Sequence, residues 1–291
     1  MRILHLDSGR DMRGGQYQAL RLHRGLLARG HDSLLLAPQD SPLLAAARAE
    51  NLPADAIHPF RLRSRNFNLI HAHDARTHSL AALLARVPFV VSRRVAFPVK
   101  KSTSSRWKYQ RPQLFLAVSR HVSEELMRAG IEESRIAVVY DGVPVPAEPA
   151  HGDSVVAIDT SDPEKGTALA RESAKLAGVD LKFSTDLEGD LPTARALVYL
   201  TKSEGLGSGI LLGMAYGVTV IASRVGGIPE LIDNGVNGIL VPNDPRAVAA
   251  AFARIDPSLG CAARKTVIAR FTVDHMIEAT IAAYERALSH D

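Results

Sequence analysis

A glycine-rich turn after a short apolar strand is the stretch of this sequence best suited to chemistry. Val198 to Leu200 predicts the strand, and five glycines lie between Gly205 and Gly217 in the run that follows. Where such a turn opens a helix, free backbone N–H groups and the helix dipole favour an anion such as a phosphate. Glu204 stands at the rim of the turn. Because a carboxylate repels phosphate, its expected partner is neutral and hydroxyl-rich, such as a sugar.

The ordered motifs after Leu200 resemble the signature of family 4 of the retaining glycosyltransferases. They are Ser203-Glu204-Gly205-Leu206-Gly207, Met214-Ala215-Tyr216-Gly217, Gly226-Gly227-Ile228-Pro229-Glu230 and Asn237-Gly238-Ile239-Leu240-Val241. The resemblance implies the GT-B architecture and transfer of a sugar from a nucleoside-diphosphate donor, of UDP or GDP type, with no other cofactor. The second glutamate of the family's pair, which usually holds the nucleotide ribose, falls at Leu212.

The resemblance also assigns roles in the second half of the chain. Lys165 matches the lysine that binds the donor diphosphate, although its usual arginine partner falls at Thr160. The alternative for Lys165 is a solvated lysine in a first helical turn. Glu204 is assigned to the hydroxyls of the donor sugar, against the alternative of a loop carboxylate that caps a helix. The residues expected to donate N–H groups to phosphate are Leu206, Gly207, Ser208 and Gly209.

In the first half, candidates follow predicted strands. Gly14 and Gly15 come after the first strand, where the resemblance implies a backbone lining for the diphosphate and the acceptor. His73 matches the family's active-site histidine, which touches the donor sugar, and His71 is expected to be structural. These two histidines project to the same side of one strand. Since a metal would need a third ligand and Asp74 points the other way, the sequence predicts no metal site.

Two adjacent arginines are further candidates in this half. Arg93 and Arg94 follow a strand end. A guanidinium there could meet a phosphate on the acceptor.

Strands and helices alternate along the whole chain, which predicts parallel sheets in two Rossmann-like α/β domains that face each other across a cleft. We expect an acceptor-side domain over residues 1–143 and a donor domain over residues 144–272. A final helix over residues 273–291 is expected to return to the first domain. The proline-rich segment Val143 to Asp153 is predicted to be the linker. Only ten residues join the strands ending at Phe183 and beginning at Ala194, which suggests a missing strand-helix-strand portion and a reduced base pocket.

Length, composition and charge predict the size, location and partners of the protein. With 291 residues, of which 46% are hydrophobic, the chain can bury the cores of two domains. A single cysteine, the absence of a signal-like amino terminus and the lack of a membrane span predict a cytoplasmic protein. Residues 1–150 hold 22 Lys and Arg against 13 Asp and Glu. This basic half suits peripheral association with the inner membrane face or a phosphate-bearing acceptor, with scattered surface arginine as the alternative. Nucleic acid is not expected.

The sequence therefore predicts a retaining, metal-independent glycosyltransferase that acts on a hydroxyl acceptor in polysaccharide or lipid glycan synthesis. By resemblance, the leaving diphosphate oxygen helps to deprotonate the acceptor on the same face of the sugar. The alternative is a weakened or inactive nucleotide- or sugar-binding relative, supported by Thr160, Leu212 and the short connection over residues 184–193. An epimerase or phosphorylase of the same fold is less favoured, because no nicotinamide fingerprint or clear pyridoxal lysine is present.

Overall fold

A computed structural model of the chain describes residues 1–99 and 102–289. Over these residues the chain divides into two compact units. Unit 1 comprises Met1–Asp141 and the segment from Val273 onward, and unit 2 comprises Gly142–Thr272. The boundary thus lies two residues before the predicted position at residue 143. Residues 290 and 291, which end the predicted final helix, lie outside the described residues.

Unit 1 alternates strands with helices. Its strands are β1 (Arg2–Leu6), β2 (Asp32–Ala37), β3 (Ala54–Ala56), β4 (Leu69–Ala72), β5 (Phe89–Arg93), β6 (Leu114–Ala117) and β7 (Ile136–Val138). Its helices are α1 (Gly14–Ala28), α2 (Pro42–Ala49), α3 (Pro59–Leu62), α4 (Ala75–Leu84), α5 (Thr103–Tyr109), α6 (Arg120–Arg128) and, at the end of the chain, α12 (Val273–Leu288). Serine side chains cap two of these helices, Ser41 on α2 and Ser119 on α6, as their positions before helical runs predict.

The strands of unit 1 form a parallel sheet in the order β3-β2-β1-β4-β5-β6-β7. Because β1 pairs with both β2 and β4, the chain changes direction across the sheet at β1, and ligands bind near the carboxyl ends of strands at such a point. On one face, α1 and α12 pack closely together. A side chain in place of Gly25 on α1 would meet Ile277 of α12 at 2.0 Å. The final helix therefore belongs to the core of unit 1.

Unit 2 repeats this plan with shorter elements. Its strands are β8 (Ser154–Ile158), β9 (Leu181–Ser184), β10 (Ala194–Tyr199), β11 (Thr219–Ser223) and β12 (Ile239–Val241). Its helices are α7 (Thr167–Ala177), α8 (Leu187–Asp190), α9 (Ser208–Tyr216), α10 (Pro245–Phe252) and α11 (Pro257–Arg270). The parallel sheet has the order β12-β11-β10-β8-β9, so that the chain changes direction across the sheet at β8.

The connection between β9 and β10 is as short as the sequence indicated. It contains the one-turn helix α8 and a 3-10 turn over Leu191–Thr193. Both β9 and β10 pair with β8, so this short segment crosses over a single intervening strand. Among the described residues, β9 forms one edge of the sheet, where a longer connection would have added a further strand.

The proline-rich segment follows the boundary between the two units, where its composition predicts a linker, and it is anchored to unit 2. Val143 is buried, and its N–H donates to the carbonyl of Phe271. Farther along, Ala150 donates to the carbonyl of Tyr216, and Arg264 donates to the carbonyl of Pro146. Because prolines leave their carbonyl groups free to accept, such a segment can be anchored to unit 2 without forming a strand.

In the part of the chain that the structure describes, no helix is both long and apolar enough to cross a bilayer.

Candidate functional site

Gly14 and Gly15 are the first two residues of α1. The N–H groups of a first helical turn have no acceptor inside the helix, so these glycines offer donors without covering side chains. Gln16 holds this helix end to the end of β1, since its Nε2 donates to Oδ1 of Asp7 at 3.0 Å. The Asp7 carboxylate also accepts from the N–H of Gly9 at 2.7 Å, and burial raises its pKa.

His73 lies just beyond the end of β4, beside a histidine that the sequence analysis did not single out. His5 on β1 is paired in register with His71 on β4, so all three imidazoles project from the same sheet face. Nδ1 of His5 lies 2.9 Å from Nε2 of His73. The ring centroids of His71 and His73 are 3.9 Å apart. Strand pairing therefore assembles a compact histidine cluster at the carboxyl end of the sheet.

His71 has a structural role, as predicted. Its Nδ1 lies 2.6 Å from the hydroxyl of Tyr284 on α12, and its Nε2 lies 2.8 Å from the hydroxyl of Ser92 on β5. One ring nitrogen thus joins the last helix to the sheet, and the other joins β4 to β5.

The two candidate arginines are directed to different places. Arg94 lies beside His73, with its Nη1 3.4 Å from Nδ1 of that ring, and its Nε donates to Asp141 at 3.2 Å. Gly15 is close by, because a Cβ there would be 3.8 Å from Cδ of Arg94. Arg93 instead donates to the hydroxyl of Tyr109 and to the carbonyl of Phe97. The structure therefore brings Arg94, Gly15 and His73 together and separates Arg93 from them.

The sequence indicated no third ligand for a metal beside His71 and His73. This was wrong, because His5 offers a third imidazole nitrogen. The nitrogens of His5, His71 and His73 lie within 4.8 Å of one another. Burial lowers the pKa of each ring well below its ordinary value, so all three are neutral. His71 already uses both ring nitrogens in hydrogen bonds, and the Arg94 guanidinium lies 3.4 Å from His73.

In unit 2, Lys165 and Glu204 form an ion pair at the start of α9. Nζ of Lys165 donates to Oε2 of Glu204 at 2.6 Å. The same oxygen accepts from the hydroxyl of Tyr199 at 2.7 Å, while Oε1 accepts from the N–H of Gly205 at 3.1 Å. Tyr199 is 6% exposed, and burial raises its pKa well above the usual value, so its hydroxyl remains a donor. A lysine, a carboxylate and a tyrosine thus meet at one point.

Backbone contacts fix both charged residues of this group. Gly226 has a φ of +56°, and a Cβ there would lie 1.9 Å from the carbonyl oxygen of Glu204, while the N–H of Gly227 donates to that oxygen at 3.1 Å. On the lysine side, Oγ1 of Thr201 donates to the carbonyl of Glu164 at 3.1 Å. The glycine pair of the Gly-Gly-Ile-Pro-Glu motif therefore positions Glu204.

The glycine-rich turn begins α9 as predicted. Gly207 precedes the helix with a φ of +109°, which favours glycine, and Ser208 and Gly209 form the first turn. Leu206 is buried. A Cβ at Gly209 would lie 2.9 Å from the ring of Tyr199, so the small residue lets the helix start pack on that tyrosine. A cavity of about 650 Å³ opens beside Lys165, between the loop that begins at Thr160 and the ends of β10 and β12.

Two departures from the family pattern are explained by their surroundings. The hydroxyl of Thr160 accepts from the N–H of Asp162 at 3.1 Å and so stabilises a turn. Leu212 lies in the buried part of α9. Neither residue supplies the charged group that the family has at its position.

Sequence reasoning missed His5, Tyr199 and Asp141. The first two interrupt apolar strands with a side chain that carries a polar tip, which was the available signal. Asp141 belongs to the motif Tyr140-Asp141-Gly142-Val143, which resembles a landmark of the same family, but the sequence did not reveal its link to Arg94, 47 positions away.

Comparison with known proteins gives two matching family profiles in succession. Glycosyltransferase family 4 matches residues 12–145, and glycosyl transferases group 1 matches residues 150–255. The chain is 35% identical over 109 residues to alpha-maltose-1-phosphate synthase of Mycolicibacterium smegmatis, which covers 33% of this chain and 28% of that protein. It is 33% identical over 101 residues to D-inositol 3-phosphate glycosyltransferase of Acidothermus cellulolyticus. This match covers 33% of this chain and 22% of that protein. The match thus spans about a quarter of each relative's length.

Among solved structures, the Anabaena protein HepE in complex with UDP and glucose has a TM-score of 0.83 at 16% identity, with 98% of this chain and 99% of that chain covered. At this identity the likeness establishes the fold, which is GT-B: two Rossmann-like units with parallel sheets. With profiles that match in order over both units and this fold throughout, the chain belongs to the group 1 glycosyl transferases of glycosyltransferase family 4.

Proposed function

We propose that the chain is a retaining glycosyltransferase that moves a sugar from a nucleoside-diphosphate donor of UDP or GDP type to a hydroxyl acceptor without a metal ion. The observation that carries this proposal is the pairing of Lys165 with Glu204 at the start of α9. A cation and free N–H groups suit a diphosphate, and a carboxylate beside them suits sugar hydroxyls. The complexes of HepE with UDP and with UDP-glucose support the same class of donor, and the name of the Acidothermus relative supports glycosyl transfer.

In the proposed reaction, the bond between the anomeric carbon and the diphosphate oxygen breaks, and a bond to the acceptor oxygen forms on the same face. The acceptor proton passes to the leaving diphosphate. Lys165 and the N–H groups of Gly207, Ser208 and Gly209 stabilise the charge that develops on the leaving group. Glu204 orients the sugar through hydrogen bonds from its hydroxyls. Since Tyr199 and Lys165 both occupy Oε2, Oε1 is the oxygen better placed to accept them.

In unit 1, we assign His73 to a hydroxyl of the donor sugar, and the N–H groups of Gly14 and Gly15 to the diphosphate and the acceptor. Arg94, which lies beside His73, is the better of the two arginines for an acceptor phosphate. The proposed acceptor is an intermediate of cell-surface polysaccharide or lipid glycan synthesis, which the basic charge of the first 150 residues favours.

A thermal-shift screen against UDP, GDP, ADP and their sugars tests the donor. A ligand at 100 times its dissociation constant adds about 2.7 kcal/mol to the free energy of unfolding, which is readily detected as a higher midpoint. If no nucleotide raises the midpoint, the proposal loses its donor.

Variants of the paired charges test the site. Lys165→Ala removes a charged phosphate contact, which is expected to weaken donor binding by about 1.5–3 kcal/mol, or tenfold and more. Glu204→Gln should lower sugar transfer far more than UDP binding, because UDP lacks the transferred sugar that Glu204 is proposed to orient. Lys182→Ala is the matched control, since Nζ of Lys182 pairs with Asp190 instead of Glu204 and the residue does not line the cavity beside Lys165. Unchanged turnover in both site variants would refute the assignments.

A second candidate is a weakened or inactive relative that binds nucleotides or sugars. Thr160, Leu212 and the short connection between β9 and β10 favour it, because all three reduce the contacts available to a donor. A nucleotide that raises the unfolding midpoint while mass spectrometry detects no transfer to any acceptor would support this candidate over the first.

A further inference from the structure

The contact between His5 and His73 limits which nitrogen of each ring can carry the proton. The two nitrogens, Nδ1 of His5 and Nε2 of His73, are 2.9 Å apart, and both rings are buried. A neutral imidazole carries one N–H and one lone pair. One ring must therefore donate to the other, and the contact by itself allows either direction.

The position of Arg94 shows which of the two histidines donates the hydrogen bond. A guanidinium only donates, and its Nη1 is directed at Nδ1 of His73 at 3.4 Å. Nδ1 of His73 must then hold the lone pair, so the proton of this ring is on Nε2. Arg94 is itself held by the carboxylate of Asp141 at 3.2 Å.

The consequence for His5 is definite. Its Nδ1 accepts from His73, so its own proton is on Nε2. Within residues 1–99 and 102–289, Nε2 of His5 has no hydrogen-bond partner, although it is fully buried. A buried donor that is left unpaired is unfavourable. This unfavourable term falls on His5, the ring whose Nδ1 accepts the hydrogen bond from His73. His71 could not take the place of His5, since Tyr284 and Ser92 use both of its nitrogens.

We propose that His5 is a positioning residue for His73: its Nδ1 lone pair stabilises the proton on Nε2 of His73 that the Arg94 guanidinium favours, so that Nδ1 of His73 keeps its lone pair towards Arg94. The contact between Arg94 and Nδ1 is long, at 3.4 Å, so a hydroxyl group can take its place by donating to Nδ1 while it accepts from Arg94. The part of this inference that concerns the sugar hydroxyl rests on the proposed function, whereas the position of the proton does not.

The proton positions can be measured in the free protein. Histidine labelled with 15N gives NMR signals that separate protonated from unprotonated ring nitrogens, and the His73 signals are those lost in His73→Gln. We expect His73 and His5 each to be protonated on Nε2. In His5→Leu the acceptor is gone, and we expect a mixture of the two His73 forms. His5→Asn places an amide oxygen near the former Nδ1 and should restore the Nε2 form. His151→Asn, at an exposed histidine in unit 2, should change nothing.

A His73 ring protonated on Nδ1 in the unchanged protein would overturn the inference, and this result does not depend on whether His5→Leu folds. An unaltered His73 signal in folded His5→Leu would overturn it as well. If the purified protein contained one equivalent of zinc, and if neither Nδ1 of His5 nor Nε2 of His73 carried a proton, the cluster would be a metal site and the inference would be wrong.

Addition of UDP-glucose separates this inference from the proposed function. We expect the donor to shift the Nδ1 signal of His73 and His5→Leu to bind it about tenfold more weakly, with His5→Asn close to the unchanged protein. If UDP-glucose does not bind while the proton positions are as stated, the choice of donor fails and the positioning role of His5 stands.

Discussion

Replacing Tyr199 by phenylalanine removes one oxygen from the group that holds Glu204. The tyrosine hydroxyl donates to Oε2 at 2.7 Å, and Lys165 donates to the same oxygen at 2.6 Å. A hydrogen bond to a charged group contributes about 1.5–3 kcal/mol. Because Lys165 and the N–H of Gly205 continue to satisfy the carboxylate, we expect a loss near the lower limit, about 1–2 kcal/mol in the free energy of unfolding.

Urea denaturation of the unchanged protein and of Tyr199→Phe measures this loss in the free energy of unfolding. Tyr216→Phe is the matched control in the same unit, since its hydroxyl is 3.5 Å from the carbonyl of Glu188 and the side chain is only partly buried. A double-mutant cycle with Glu204→Gln isolates the pair, for which we expect a coupling of about 1 kcal/mol. Equal losses in Tyr199→Phe and Tyr216→Phe, or a coupling of zero, would contradict the view that Tyr199 orients the carboxylate.

Two further predictions concern stability. Gly226→Ala should destabilise the protein by more than about 2 kcal/mol and lower donor binding, because the added Cβ would meet the carbonyl of Glu204 at 1.9 Å in a left-handed backbone; urea denaturation and UDP titration check this. Acid should also destabilise unit 1, because burial lowers the pKa of His23 to about 4 and that of His78 to about 3. Their unfolded forms take up protons below pH 6.5 while the folded forms do not. Stability is therefore full above pH 6.5, and each histidine removes about 3 kcal/mol by pH 4.

The controls for these two predictions are internal to the chain. Gly235→Ala also has a left-handed backbone, with φ of +81°, but a Cβ there meets nothing closer than 4.0 Å; a loss as large as that of Gly226→Ala would mean that backbone strain alone explains the effect. For the acid prediction, a free energy of unfolding that stays constant between pH 6.5 and 4.5 would show that the buried histidines do not couple folding to proton uptake.

Short-range patterns were predicted well because each depends on neighbours in the chain. The glycine-rich turn before α9, the serine caps of α2 and α6 and the alternation of strands with helices follow from local backbone preference and hydrophobic spacing. The anchoring of the proline-rich segment was not predicted, because it depends on residues that are distant in the chain. Its composition indicates a lack of secondary structure, and only the surrounding unit shows that its carbonyl groups are bound by Arg264.

The sequence by itself determined the family, the two-unit α/β plan and the identity of Lys165, Glu204 and His73 as candidates, since these follow from ordered motifs and the period of apolar residues. The tertiary structure decided which side chains meet. His5 reaches His73 across 68 residues, Asp141 reaches Arg94 across 47, and Tyr284 reaches His71 across 213. Such contacts depend on which strands lie side by side and on where the last helix packs. Burial of the whole sheet selects that arrangement, and no local segment encodes it.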